Sequence, residues 1–247
     1  MPSRSILLAL LRIACDSTHT LGTARPPRGF YMLFSQLLIF SLSVLTMLGF
    51  AGAANAQPDD TIYGTWSVAF QPVQVQGKEQ GCSLIYTAVQ ADHAYLNGRP
   101  IAINGNISTH RFGTQMIFGL KVGIKDLTIP NATFTKPNFA YVQTRTRSTA
   151  GLRQEVREGD EGYLLVAIGL AQAMDLVVEM LSESKVTIGF NRQPKGLDVL
   201  VPVDLSVFDA VEASGSRVER RRSDAAVVGF TECLERQLEV GLREAKK

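Results

Sequence analysis

The chain has 247 residues, 45% of them hydrophobic and 19% charged, with 25 Lys+Arg against 23 Asp+Glu and three cysteines. That apolar content is too high for a disordered chain. A nucleic-acid binder needs a concentrated basic face, and the near-neutral balance offers no support for one.

The dominant feature is Leu33–Phe50, LFSQLLIFSLSVLTMLGF, followed by the small residues AGAANAQ. A spanning helix wants about 20 predominantly apolar residues, and this run is interrupted by Ser35, Gln36, Ser41, Ser43 and Thr46. An apolar core closing on Ala54-Asn55-Ala56 reads instead as a signal peptide with an A-x-A site, cut between Ala56 and Gln57. Residues 1–56 are then an N-terminal extension and cleaved signal, and 57–247 a single domain without a membrane span. The start is open between Met1 and Met32, since Met32 leads directly into the apolar run. Arg4, Arg12, Arg25, Arg28 and Asp16 all precede the cut, leaving 21 basic against 22 acidic residues, a net charge of −1.

The same cut removes Cys15 and leaves Cys82 and Cys233, an even count in an oxidising compartment. A Cys82–Cys233 disulfide is expected, closing a loop of about 150 residues for ~5 kcal/mol of unfolded-state freedom. The alternative is two separate buried thiols acting as small hydrophobes.

From Thr61 the pattern is that of strands. Thr61–Phe70 places Tyr63, Trp66, Val68 and Phe70 for burial, and Cys82–Val89 reads as its partner, with Gln71–Gln80 as the connection. His93–Leu96 and Arg99–Ile103 flank Asn97-Gly98 as in a type I′ hairpin, and Asn104-Gly105 reads as a second tight turn. Gln115–Ile124 and Phe139–Thr146 are strands, separated by a loop marked by Pro130, Pro137 and Asn138. Arg153–Gly162 reads as a charged loop, and its carboxylates Glu155, Glu158, Asp160 and Glu161 lack calcium-loop spacing.

Leu170, Met174, Val177, Val178 and Leu181 make a helical stripe over Leu170–Leu181. Lys185–Phe190 and Leu197–Leu205 are closing strands joined by Asn191–Gly196, with Pro202 calling for an edge or a bulge. Val207–Arg222 reads as a polar loop ending in the solvated triplet Arg220-Arg221-Arg222. Ser223-Asp224 caps a final helix, Ala225–Glu244, with Val227, Phe230, Leu234, Leu238 and Leu242 facing the core beside Cys233. The fold expected is mainly β: an antiparallel β-sandwich with one packed mid-chain helix and a C-terminal helix.

No nucleophile elbow, phosphate-binding loop or dinucleotide fingerprint is present. The two histidines past the signal, His93 and His110, lack metal-ligand spacing and underfill a zinc site. The reading is a non-enzyme with no metal or cofactor. Trp66, Tyr86, Tyr95 and Tyr141 are the candidates for a ligand or partner surface, with Tyr63 beside them; alternate aromatics filling a core are the competing reading.

Gly64-Thr65-Trp66 in an early strand, Gly81-Cys82 opening the next, and a late helix carrying Cys233, all in an exported precursor, resemble the invasion-associated locus B family. Those are periplasmic or envelope-associated β-sandwich proteins of alphaproteobacteria. The resemblance spans roughly residues 60–240 and departs at Phe70-Gln71, where members commonly carry a cysteine. It implies export, a disulfide and a role in the envelope or in host contact, with no active site to carry over. The function expected is an exported, periplasmic or secreted, non-catalytic protein acting through an envelope or other protein partner, with no nucleic acid bound. The alternative is a small-ligand module with an aromatic-lined pocket.

Overall fold

The computed structural model describes residues 61–113, 115–159, 161–212 and 217–245, all within one compact unit, Gln57–Lys247. The expected signal segment and its cleavage site lie outside the described residues.

Eleven strands and two helices are found among the described residues. Strands β1 (Gly64–Val75), β2 (Lys78–Asp92), β3 (Arg99–Phe112) and β4 (Gln115–Asp126) form a meander. They continue into β7 (Leu164–Gly169) and β6 (Glu155–Glu158) to make a six-stranded sheet of order β1-β2-β3-β4-β7-β6. Strands β5 (Phe139–Gln143), β8 (Lys185–Asn191) and β9 (Val199–Asp204) form a second sheet, β5-β8-β9, and β10 (Val207–Glu212) pairs with β11 (Val218–Arg222). Every pairing is antiparallel. Helix α1 (Leu170–Glu183) follows β7, and α2 (Ala225–Ala245) ends the chain.

Strand periodicity sets the layers. Leu84, Tyr86, Ile103, Ile107, Phe118 and Val122 leave one face of the large sheet and meet Val142, Ile188, Phe190 and Val201 of the small sheet in one cluster. The two sheets thus form an antiparallel sandwich. Helix α1 buries Leu170, Ala173, Leu176, Val177, Met180 and Leu181 against it, so the helical stripe is real but centred one position off Met174 and Val178.

Helix α2 buries Phe230, Cys233 and Leu234, and Ser223 Oγ accepts from Ala225 N–H at 3.2 Å at its start. Cys82 and Cys233 are joined as a disulfide with a Cα–Cα separation of 5.9 Å. Leu242, at the end of the expected stripe, is half exposed.

Several loop expectations are corrected. Gln71–Gln80 is not a connection: β1 runs on to Val75, and the turn is the two residues Gln76-Gly77, both at positive φ (+53° and +74°), as a two-residue hairpin requires. The segment looks polar because β1 is an edge strand, where Pro72 is also tolerated. His93–Leu96 is a turn rather than a strand: Leu96 N–H bonds to Asp92 O, and Asp92 Oδ1 accepts from Tyr95 N–H at 2.9 Å. Asn97-Gly98 does take positive φ, but within a six-residue connection from Asp92 to Arg99.

Asn104-Gly105 lies in the middle of β3. Gly105 sits opposite Tyr86, and a Cβ there would come 1.8 Å from Lys121 O and 3.0 Å from the Tyr86 hydroxyl. It is a packing glycine, not a turn. Arg153–Gly162 contains edge strand β6, and Val207–Arg222 is the β10–β11 hairpin. Both were obscured by charged residues, which solvent-facing strands tolerate freely. Pro202 stands on edge strand β9, as its missing donor demands.

Gly105→Ala is expected to cost about 1–3 kcal/mol or more through overpacking, read as a lowered urea midpoint. An unchanged midpoint would contradict the close approach of Tyr86 and β4 over this residue.

Candidate functional site

The four aromatic candidates do not converge. Trp66 is half-buried and donates Nε1–H to Ile62 O at 2.8 Å. Tyr86 is fully buried and donates to Lys121 O at 3.2 Å. Tyr95 sits in the β2–β3 connection and donates to Leu197 O at 2.6 Å, while the buried Tyr141 donates to Asp198 Oδ2 at 2.9 Å.

Each of these tyrosines covers a glycine. A Cβ on Gly189 would meet the Tyr141 ring at 2.2 Å, and one on Gly196 the Tyr95 hydroxyl at 2.3 Å; Gly105 lies under Tyr86. Tyr163, not singled out from the sequence, covers Gly123 in the same way, at 2.6 Å. At Gly105, Gly123 and Gly189 the rings fill the gaps that strand glycines leave, as aromatic rescue does in sheets, and at Gly196 the gap is in the β8–β9 connection. Burial and the Asp198 contact push the Tyr141 phenol up to about 12.

A surface trough lies elsewhere, on the outer face of the large sheet. The register lines up Ser108, Gly119, Ala167 and Glu155 across β3, β4, β7 and β6. Small side chains there leave a floor between two taller rows. Ile117 and His110 stand on one side, and Leu165, Arg157 and Asn106 on the other, enclosing about 610 Å³. Gly119 is required locally, because a Cβ would come 2.8 Å from Ser108 Oγ. Through Gln115 and Ile117 the trough continues into an apolar groove of about 690 Å³ between Met116, Met174, Leu238 and Leu242. Phe112, 61% exposed, lines the trough and is paired with Gln115, which both grooves share.

The polar groups of this face bond mainly to one another. Ser108 Oγ and His110 Nε2 share a hydrogen bond of 3.0 Å. Asn104 Nδ2 donates to Thr87 Oγ1 at 3.0 Å and to Tyr86 O at 3.2 Å, and its Oδ1 accepts from Tyr163 OH at 3.2 Å. Lys121 Nζ lies 4.4 Å from the Tyr163 ring centroid, a cation–π contact. Glu155 and Arg157 pair on the rim.

Burial holds the His110 imidazole below its ordinary pKa, so the ring is neutral at pH 7. A neutral histidine bonded to a serine has the first ingredient of nucleophilic catalysis. It also needs oxyanion donors. Strand β3 is paired on both sides at Ser108 and His110, so its amides are committed to the ladder. Among the described residues no group of three or more His, Cys, Asp or Glu is placed to hold a metal ion. His93 lies in the β2–β3 connection, and His110 near the far end of β3.

None of this trough was legible as a site in the sequence, because its floor is assembled by register from residues far apart in the chain. Of the arginine triplet, Arg221 and Arg222 are exposed as expected, whereas Arg220 is partly buried and engaged. Arg220 donates Nε–H to Thr65 O at 2.7 Å and Nη2–H to Tyr63 O at 2.7 Å and Thr61 O at 3.1 Å. Arg222 pairs with Asp204.

No protein-family model, curated protein or solved structure matches this chain. No helix among the described residues is long and apolar enough to cross a membrane.

The lowered His110 pKa has a signed consequence. As pH falls below 6.5, the unfolded histidine takes up its proton before the folded one does. This contribution to stability is complete above pH 6.5 and is lost on acidification towards the lowered folded value. An NMR titration is expected to give a His110 midpoint below 6.5, and His110→Gln to flatten that part of the stability profile. A midpoint at or above 6.5 would contradict the burial of the ring.

Proposed function

We propose that this chain is an exported, non-catalytic protein that acts by contact with an envelope or protein partner, through the trough on the large sheet. The observation that carries the reading is the trough itself. It is long and open, it exposes Phe112 and Leu165, and its Ser108–His110 and Glu155–Arg157 pairs are bonded to one another. Such a surface suits recognition of an extended partner better than bond-making. Contiguous apolar surface rimmed by polar residues marks interaction sites in general.

The buried disulfide supports export, since such bonds persist in oxidising compartments. Cleavage between Ala56 and Gln57 delivers the domain to the periplasm or beyond. The invasion-associated locus B resemblance points to the same setting and to host contact as its wider role. The small-ligand reading finds less support, because Trp66, Tyr86, Tyr95 and Tyr141 line none of the surface grooves described.

Intact mass of the chain recovered from the periplasm, with and without reductant and alkylation, tests export. The expected species begins at Gln57 and is alkylated only after reduction; a species beginning at Met1, or two freely alkylated thiols, would overturn it. Phe112→Arg tests the surface. Its co-sedimentation with envelope fractions should weaken about tenfold, equivalent to ~1.4 kcal/mol, with the circular dichroism spectrum and melting temperature unchanged. Equal binding would remove the trough from the account.

A further inference from the structure

A second cleft, of about 510 Å³, lies on the outer face of the small sheet, closed on one side by the β10–β11 hairpin. Its floor is set by register. Gln143 of β5 stands opposite Thr187 of β8, and Lys185, two residues along, stands opposite Asp204 of β9. Around that floor Arg145, Arg220 and Arg222 join Lys185, so four cations face two carboxylates, Glu183 and Asp204.

The carboxylates are already engaged. Arg145 Nε lies 3.3 Å from Glu183, and Arg222 pairs with Asp204. Asp204 also accepts from Ser206 N–H at 3.0 Å and Ser206 Oγ–H at 2.6 Å, and these bonds hold it below the usual carboxylate range against the opposing effect of burial. That leaves the Lys185 ammonium, the Gln143 amide and the Thr187 hydroxyl. None of the three makes a side-chain hydrogen bond or ion pair among the described residues. With Glu179, 4.0 Å from Arg145, counted as well, the four cations outnumber the carboxylates by one over three unspent donors, in a domain whose expected net charge is −1.

The walls are held in advance. Glu179 accepts from Thr144 Oγ–H at 2.9 Å, from Thr146 N–H at 3.1 Å and from Thr146 Oγ–H at 2.6 Å, fixing the turn that carries Arg145. Arg220 is anchored on the carbonyls of β1 and the residues before it. Ordering these groups before a ligand arrives lowers the entropic cost of binding it.

We propose that this cleft is an anion-binding site for a phosphate group, with Lys185 as the charged donor and Gln143 and Thr187 as neutral donors. A phosphate offers several strong acceptor oxygens to donors converging from different strands, and charge-assisted bonds of this kind are the strong ones. The site is independent of the trough and stands whether or not the trough binds a partner. The phosphate can come from a free anion or from a lipid headgroup, and the chemistry at the floor is the same.

The test is NMR titration of the purified chain with inorganic phosphate, against sodium chloride at equal ionic strength. Phosphate should shift the amides of Gln143, Lys185 and Thr187 where chloride does not. Lys185→Gln should weaken the response about tenfold or more, and Thr187→Val should weaken it without altering the net charge. Co-sedimentation with phosphatidylglycerol and phosphatidylcholine vesicles assigns the source. Binding to the anionic vesicles that free phosphate displaces indicates a headgroup, and phosphate binding without vesicle binding indicates a free anion. Shifts equal to those of chloride, or both variants responding as the unmodified chain does, would overturn the proposal.

Discussion

The bond between Cys82 and Cys233 is the constraint on which the rest of the domain depends. It joins the second strand to the last helix across 151 residues, and both cysteines are fully buried. Around it the helix is keyed to the sheet. Phe70 of β1 lies over Gly229, where a Cβ would come 2.6 Å from the ring. Gln237 donates to Glu79 O at 3.2 Å and to its Oε1 at 3.1 Å, and Arg111 bridges to Glu244 at 2.7 Å. Exposed pairs such as Arg236–Glu79 add little on their own. The covalent link and the packed face hold α2 in place, and α2 covers the part of β1–β2 that the small sheet does not reach.

A second regularity runs through both sheets. Glycines in or beside the strands recur where a tyrosine must lie flat, and the tyrosine hydroxyl then finds a partner at the ring's far end. Tyr86 over Gly105 and Tyr141 over Gly189 follow this pattern within paired strands. The aromatic residues that look most like recognition elements are thus engaged in holding the sheets. The two clefts proposed for recognition are made instead of unremarkable residues: a floor of serine, glycine and alanine in one case, and lysine, threonine and glutamine in the other.

This division explains what could be read from the chain. The two helices, the sandwich and the Cys82–Cys233 bond were legible because burial imposes a strict period on residues such as Val177, Met180, Phe230 and Leu234, and because the expected cut leaves only one pairing of the three cysteines. Pro202 announced an edge. By contrast β6, β10 and β11 face solvent on much of their surface, so Glu155–Glu158 and Val218–Arg222 carry the charges of a loop. Asn104-Gly105 carries a turn's sequence in a strand's place because the Lys121 carbonyl of β4 and the Tyr86 hydroxyl leave no room for a Cβ. Neither cleft could be seen, since Ser108, Gly119, Ala167 and Glu155, or Gln143, Lys185 and Thr187, become neighbours only through strand register.

The most direct measurement is urea unfolding of the oxidised chain beside the Cys82→Ala/Cys233→Ala double variant, each followed by tryptophan fluorescence and circular dichroism. If the disulfide closes the domain as described, the variant loses about 2–5 kcal/mol, and α2 unfolds with the sheets in one transition. Equal stability of the two proteins would contradict the account, as would an α2 that melts separately while the disulfide is intact.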